Sequence, residues 1–319
     1  MLDWPFVIDV PAGDVAGVVE DRRADILETV HSVGSVLLRG SGELSVAEFA
    51  GLAETLFNDV IRENGEHEPV EASGIVQTPI PFSHDHKLLW HNENSFNRRW
   101  PLILMFSPVV VATRGGQTPL TDAREMLKVV DPAIIELFRK RGITYVRRFG
   151  NGIGLPWQKV FGTESRSELE SRAAMDEVAI EWGDGGTMTV RSVRPAIISH
   201  PLTGELAWFG QPTHWHPACL DGETREALIE VVGADELPRD CHFGDGSAIP
   251  DSVMAELTAA YESIERSFDW IVGDVLVVDN VLSAHARAAY EGPRRLLVAM
   301  GDEYEFAERV GPATGGGMR

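Results

Sequence analysis

The segment from Gly273 to Met300 constrains this chain most. Asp274 to Asp279 reads as a buried strand, followed by a polar turn and a second strand from Ser283 to Ala288. A turn near Glu291-Gly292 then folds a third strand, Arg294 to Tyr304, back beside the second. His285 is thereby held close to a core. An arginine at the head of so apolar a strand is costly to bury unless it meets an anion. Its planar guanidinium suits a carboxylate bound bidentately.

A second stretch supplies partners for His285. Trp90-His91-Asn92-Glu93-Asn94-Ser95-Phe96 follows the apolar run Leu88-Leu89-Trp90. In an extended strand, residues i and i+2 share a face, so His91 and Glu93 project side by side. Two histidines and one carboxylate can hold Fe(II) with positions left open. Such a centre can chelate a 2-oxo acid and still accept O2. The arginine would take the far carboxylate of that acid. Thr118, in a strand after the Gly115-Gly116 turn, is placed to donate its hydroxyl to the same carboxylate.

The rest of the chain reads as many short strands with a few helices, which predicts a β sandwich or barrel with flanking helices. Phe6 to Val10 and Ser35 to Arg39 are strands. A helix from Asp14 to about His31 lies between them, and Ser45 to Phe57 is a second helix opened by a Ser45–Glu48 capping box. No GxGxxG loop follows the first strand, so this start is a lead-in layer rather than a dinucleotide site. Asn58 to Lys87 is irregular. Leu102 to Ala112 reads as a buried strand, Thr118 to Asp122 and Ile143 to Phe149 as strands, and Asp131 to Lys140 as a helix. Asn151 to Gly186 interrupts the β pattern, with a helix near Ser165 to Met175, and suits a lid or binding loop. Strands follow at Met188 to Val193, Ala196 to His200, Leu206 to Phe209 and Phe268 to Ile271. Helices follow at Asp221 to Val232 and Asp251 to Ser263, and a Gly-rich tail closes the chain.

Charge narrows the partners. The formal net charge of -21 disfavours nucleic acid and anionic membrane surfaces. The two cysteines, Cys219 and Cys241, form no disulfide framework. No apolar run is long enough for a membrane helix, and Met1 to Val10 lacks a basic n-region. The expectation is a cytoplasmic protein acting on a small molecule, with a homo-oligomer left open.

In motif order the chain resembles the TauD/TfdA family of Fe(II)- and 2-oxoglutarate-dependent dioxygenases. Within it, the HxE branch is the nearer match, with SyrP-like amino-acid hydroxylases and clavaminate synthase. The resemblance rests on Trp90 to Ser95, Gly115-Gly116-Gln117-Thr118, Trp208-Phe209 and Gly273 to Met300. It covers about residues 85–125 and 270–302 and is patchy between. It implies an α+β, mainly β fold with a double-stranded β-helix (jelly-roll, cupin-like) core, flanking helices and a lid insertion. A single domain would span 1–319, with core strands at about 85–150 and 187–304, the insertion at about 151–186 and a loop and helical segment at about 211–265. Carried over by position, His91, Glu93 and His285 bind iron, while Thr118 and Arg295 hold the distal carboxylate of 2-oxoglutarate. Arg294 is the fallback if the register slips by one.

The family's chemistry would then follow: Fe(II), 2-oxoglutarate and O2 are consumed in oxidising an unactivated C–H bond. Glu93 stands where related halogenases keep a small residue, so halogenation is not expected. Taurine dioxygenase-like members carry a further arginine four residues on, where this chain has Ala299, which argues against a sulfonate substrate. The HxE branch implies an amino acid or amino-acid-derived substrate, free or carrier-bound, in specialised metabolism. Desaturation or cyclisation uses the same ligands. A Zn-dependent hydrolase and a non-catalytic metal-binding protein are the other classes, and neither gives a reason for Thr118 and Arg295. Asn94 either orients Glu93 or touches substrate. Arg287 either touches substrate or makes a structural ion pair. His84 and His86 read as loop or pocket-rim residues. His214 and His216 read as a Trp215-anchored loop near the pocket, with a second metal site as the alternative.

Overall fold

The computed structural model describes residues 4–11, 13–62 and 67–306; the Gly-rich tail lies outside them. The lead-in layer is part of the main sheet. Phe6–Asp9 pairs in parallel with Ser35–Arg39, which pairs with Val275–Asp279. The sheet continues antiparallel through Arg99–Val110 and Arg295–Glu305 to Gln77–Thr78 and Glu68–Pro69, with Val60–Ile61 also on Arg295–Glu305. A second layer is a three-stranded sheet in the order Leu88–His91, Ser283–Arg287, Leu120–Asp122. A four-stranded sheet orders Val178–Trp182, Met188–Arg194, Ile143–Phe149 and Arg239–Phe243.

Strand alternation sorts the core into layers. Leu104, Phe106, Leu276, Val278, Leu296, Val298 and Met300 pack with Leu120 and Trp270. Their neighbours Ile103, Met105, Val275, Val277, Leu297 and Ala299 face the opposite way, onto the helices Val15–Val33 and Val46–Leu56. Val46–Leu56 starts at the expected capping box, with the Ser45 side chain accepting from the Glu48 backbone. Val15–Val33 begins without a side-chain cap at Asp14 and stops at Gly34, whose φ of 101° few other residues tolerate.

Three sequence expectations are corrected. The 151–186 stretch leaves the β pattern only as far as residue 177: it carries the helices Trp157–Phe161 and Arg166–Met175, the second where it was expected, and then Val178–Trp182 pairs along Met188–Arg194. Phe268 to Ile271 forms no strand. Phe268 and Trp270 stack edge to face at 4.8 Å, and Trp270 turns its Nε1–H to Thr118, so packing sets this segment rather than a ladder. The strand Leu88–His91 ends at His91, and Glu93 sits in the turn beyond. No described helix is long and apolar enough to cross a membrane.

Candidate metal and co-substrate site

The strand Leu88–His91 is anchored by Trp90, which stacks on Tyr261 at 5.1 Å and lies under Lys87. Its register sets His91 opposite His285 on Ser283–Arg287, with the two rings 4.3 Å apart. One ligand atom from each of His91, Glu93 and His285 lies within 4.8 Å of the others. Although Glu93 has left the strand, the turn still returns its carboxylate to the same space.

That turn is held by an asparagine the sequence reading passed over. Asn280, fully buried, accepts from the Glu93 backbone N–H at 2.7 Å and donates to the Glu93 and Pro101 carbonyls at 2.9 and 2.8 Å. Asn92 donates to the Asn280 carbonyl at 2.6 Å, and Gln211 donates to the Asn92 carbonyl and to Ser95 Oγ. Asn94 takes a φ of 57° to complete the turn and lines the neighbouring cavity. The main chain around Glu93 is therefore fixed from three sides.

The protonation states suit a metal. His91 Nδ1 lies 2.8 Å from the Leu89 carbonyl, which only accepts, so Nδ1 carries the proton and Nε2 keeps its lone pair. Burial pushes the His91 pKa down, against the pull of Glu93. His285 is pushed well below the usual histidine range, first by burial and then by His91, His67 and His214. Both shifts favour the neutral ring, the form that binds metals. His285 Nδ1 is buried without a hydrogen-bond partner, an orphaned polar atom that a group bound in this cluster through that nitrogen would satisfy. The donor set of two nitrogens and one carboxylate fits Fe(II) with open positions.

Two further histidines crowd this space. His67 Nε2 is 3.8 Å from Glu93 Oε2, and the His214 ring is 5.0 Å from that of His91. No spacing pattern pointed to His67, which lies in the irregular stretch. His216 turns elsewhere, with Nε2 at the Ile249 carbonyl and Nδ1 accepting from Ala218, so it shares no metal group with His214 among the described residues. His84 and His86 lie exposed in a loop beside Asp85 and Asp221.

Beside the triad, Leu120 pairs with His285, and Thr118 lies buried two residues upstream. Thr118 Oγ1 accepts from Trp270 Nε1 at 3.1 Å, which leaves its own proton to donate. Gly115 and Gly116, both at positive φ, bring this segment against Ala289 and Arg294. A Cβ on Gly115 would sit 2.1 Å from the Ala289 carbonyl oxygen.

The two adjacent arginines separate clearly. Arg295 is exposed. Arg294, just before the strand Arg295–Glu305, is part-buried, and its Nε donates to the Gly116 carbonyl at 2.9 Å. Burial, and then the Arg287 cation, push its pKa down to about 10. A guanidinium so placed favours an anion opposite. Arg287 donates to the carbonyls of Phe82, Ser83 and His86, so it ties down the 82–86 loop and makes no ion pair with a described carboxylate.

A second His-His-carboxylate group joins His31, His200 and Asp279. Asp279 Oδ2 lies 2.8 Å from both His31 Nδ1 and His200 Nε2. Oδ1 accepts from the Val281 and Leu282 backbones.

Residues 8–300 match the family described as "Taurine catabolism dioxygenase TauD, TfdA family". Dapdiamide synthesis protein DdaC of Enterobacter agglomerans is 33% identical over 284 residues, covering 88% of this chain and 86% of its own. A clavaminate synthase-like protein of Arabidopsis thaliana is 27% identical over 320 residues and covers 93% of both chains. The fold is also that of an asparagine oxygenase solved with Fe(II), (2S,3S)-3-hydroxyasparagine and succinate. That likeness has a TM-score of 0.51 at 12% identity and covers 88% of this chain and 79% of that one. The chain therefore belongs to the TauD/TfdA family and is an Fe(II)- and 2-oxoglutarate-dependent dioxygenase.

Proposed function

We propose that this dioxygenase hydroxylates an unactivated C–H bond of an amino acid or amino-acid-derived substrate. His91, Glu93 and His285 hold the iron, and Thr118 and Arg294 hold the distal carboxylate of 2-oxoglutarate. Arg294 takes the part that family position gave to Arg295. The convergence of the triad carries this reading, with the Thr118–Arg294 side of the site next to it. We read the large sheet and the sheet of Ser283–Arg287 as the two halves of a jelly-roll, within one domain.

When bound, Fe(II) with 2-oxoglutarate and O2 supplies the oxidation, one oxygen atom going into succinate as CO2 leaves and the other into the substrate. The chain's own groups do the positioning. The Leu89 carbonyl keeps His91 in the metal-binding tautomer. Asn280 fixes the Glu93 peptide. Thr118 donates to a carboxylate that Arg294 neutralises. The similarity to DdaC, a protein of dapdiamide synthesis, supports the substrate class, and an asparagine oxygenase shares the fold.

The test is succinate formation with a panel of free and carrier-bound amino acids, read with mass spectrometry for a gain of one oxygen. The reading predicts one or more members that raise succinate above the substrate-free rate. A panel that fails throughout sinks the amino-acid assignment, and loss of hydrogen without gain of oxygen would turn it to desaturation or cyclisation.

A further inference from the structure

The residue after Glu93 opens onto a cavity with an unusual charge. Asn94 and Phe96 line a space of about 630 Å3. Its floor is the four-stranded sheet, where the pairs Tyr145↔Ser192 and Arg147↔Val190 share a face. Another wall comes from the helices Trp157–Phe161 and Arg166–Met175. Cavities of roughly 300–1,000 Å3 hold drug-sized ligands. This one exceeds the needs of a free amino acid.

Across the whole chain, 49 acidic residues outnumber 28 Lys and Arg. In the cavity lining the ratio inverts, with Arg98, Arg99, Arg147, Lys159 and Arg172 against Asp176 and Glu303. Within the lining Asp176 pairs with Arg99 at 3.1 Å, whereas Glu177 on Arg98, Glu68 on Lys159 and Glu168 on Arg172 do not line the cavity. The Lys159 and Arg172 pairs are solvent-exposed, and such pairs are worth only about 0–1 kcal/mol. A ligand anion can replace them. Arg147 projects from the floor strand, over Phe149 at 5.0 Å. Three separate elements thus bring positive charge to the lining of a space that also takes in Asn94, the residue after Glu93.

We infer that the substrate carries a second anionic group, a carboxylate or a phosphate ester, at the end remote from the oxidised carbon, and that Arg147, Lys159 and Arg172 receive it. This rests on the reading that the triad oxidises an amino-acid-derived substrate, and it narrows that class. Free lysine and arginine, with a cation at the remote end, are excluded.

The test uses two matched pairs, 4′-phosphopantetheine against pantetheine and glycyl-L-glutamate against glycyl-L-glutamine. Each is titrated calorimetrically, without oxygen, into the enzyme loaded with Fe(II) and 2-oxoglutarate. The expected result is that the charged member of at least one pair binds about tenfold or more tightly than its neutral twin. Preference in the first pair marks a carrier-tethered substrate, and preference in the second a free acid. Arg172→Gln and the double variant Lys159→Gln/Arg172→Gln, at exposed helical positions, should reduce the preference while the visible band of the iron chelate stays. No difference within either pair, or a preference unchanged in the variants, overturns the inference. A wild type with no chelate band refutes the iron assignment instead, which keeps the two failures apart.

Discussion

Two clusters in this molecule each join two histidines and a carboxylate, and they have opposite characters. His91, Glu93 and His285 form one; His31, His200 and Asp279 form the other. The difference lies in what is left to bind. Asp279 spends both oxygens, one on two imidazoles and the other on two backbone N–H groups. His200 accepts from the Leu202 and Thr203 backbones at Nδ1, so its proton sits on Nε2 and points at Asp279. Burial pushes the Asp279 pKa up, but the His200 and His31 hydrogen bonds outweigh it and hold the carboxyl below its usual value. This group is closed on itself. In the other, His91 has one nitrogen engaged and one open, and His285 Nδ1 has no partner. Proximity of ligand types does not make a metal site; unspent lone pairs do.

The clusters are nonetheless one device in sequence. Asp279 fixes the turn after the buried strand Val275–Asp279, and the next residue, Asn280, reaches across to the Glu93 peptide. The closed cluster holds the frame in which the open one sits.

Substitutions can break this contrast, and the largest effect belongs to the open cluster. His285→Ala should remove iron binding and lower substrate-dependent succinate formation by about a thousandfold or more, since the chemistry is the metal's; metal analysis and turnover check it. Asp279→Ala should destabilise the fold by about 3–5 kcal/mol, the cost of breaking a buried pair, and leave the folded fraction able to bind iron. Denaturant unfolding with metal analysis reads both; unchanged stability would show that the closed cluster has no structural role. Arg294→Ala should raise KM for 2-oxoglutarate about ten- to a hundredfold through loss of a charge-assisted contact, whereas Arg295→Ala should change it by less than about twofold. The reverse order would return the co-substrate contact to Arg295. Asn280→Ala should weaken iron binding by about tenfold, as loss of an orienting partner does at other metal sites. An affinity equal to wild type would mean that the Glu93 turn holds without it.

Much of this site was legible in the sequence because it lies on short-range spacing. His91 and Glu93 are two residues apart, and His285 follows a buried strand and a turn. The Gly-Gly turn drew attention to Thr118, which is buried two residues before Leu120, the partner of His285. Which of Arg294 and Arg295 is the more buried was not legible, because it is set at the head of a strand beside a register shift against Arg99–Val110. His67 and Asn280 act through contacts across 26 and 187 positions, which no local period records. The strand Val178–Trp182 did carry a signal, with Val178, Ile180 and Trp182 alternating against Ala179 and Glu181, but the surrounding glycines and polar residues masked it.

The most direct measurement is an anaerobic titration of Fe(II) into wild type, His91→Ala and His200→Ala, each with 2-oxoglutarate present, following iron stoichiometry and the visible chelate band. One iron and a band are expected in wild type and in folded His200→Ala, and neither in His91→Ala. Loss of the band in folded His200→Ala with retention in His91→Ala would place the metal in the other cluster and contradict that expectation.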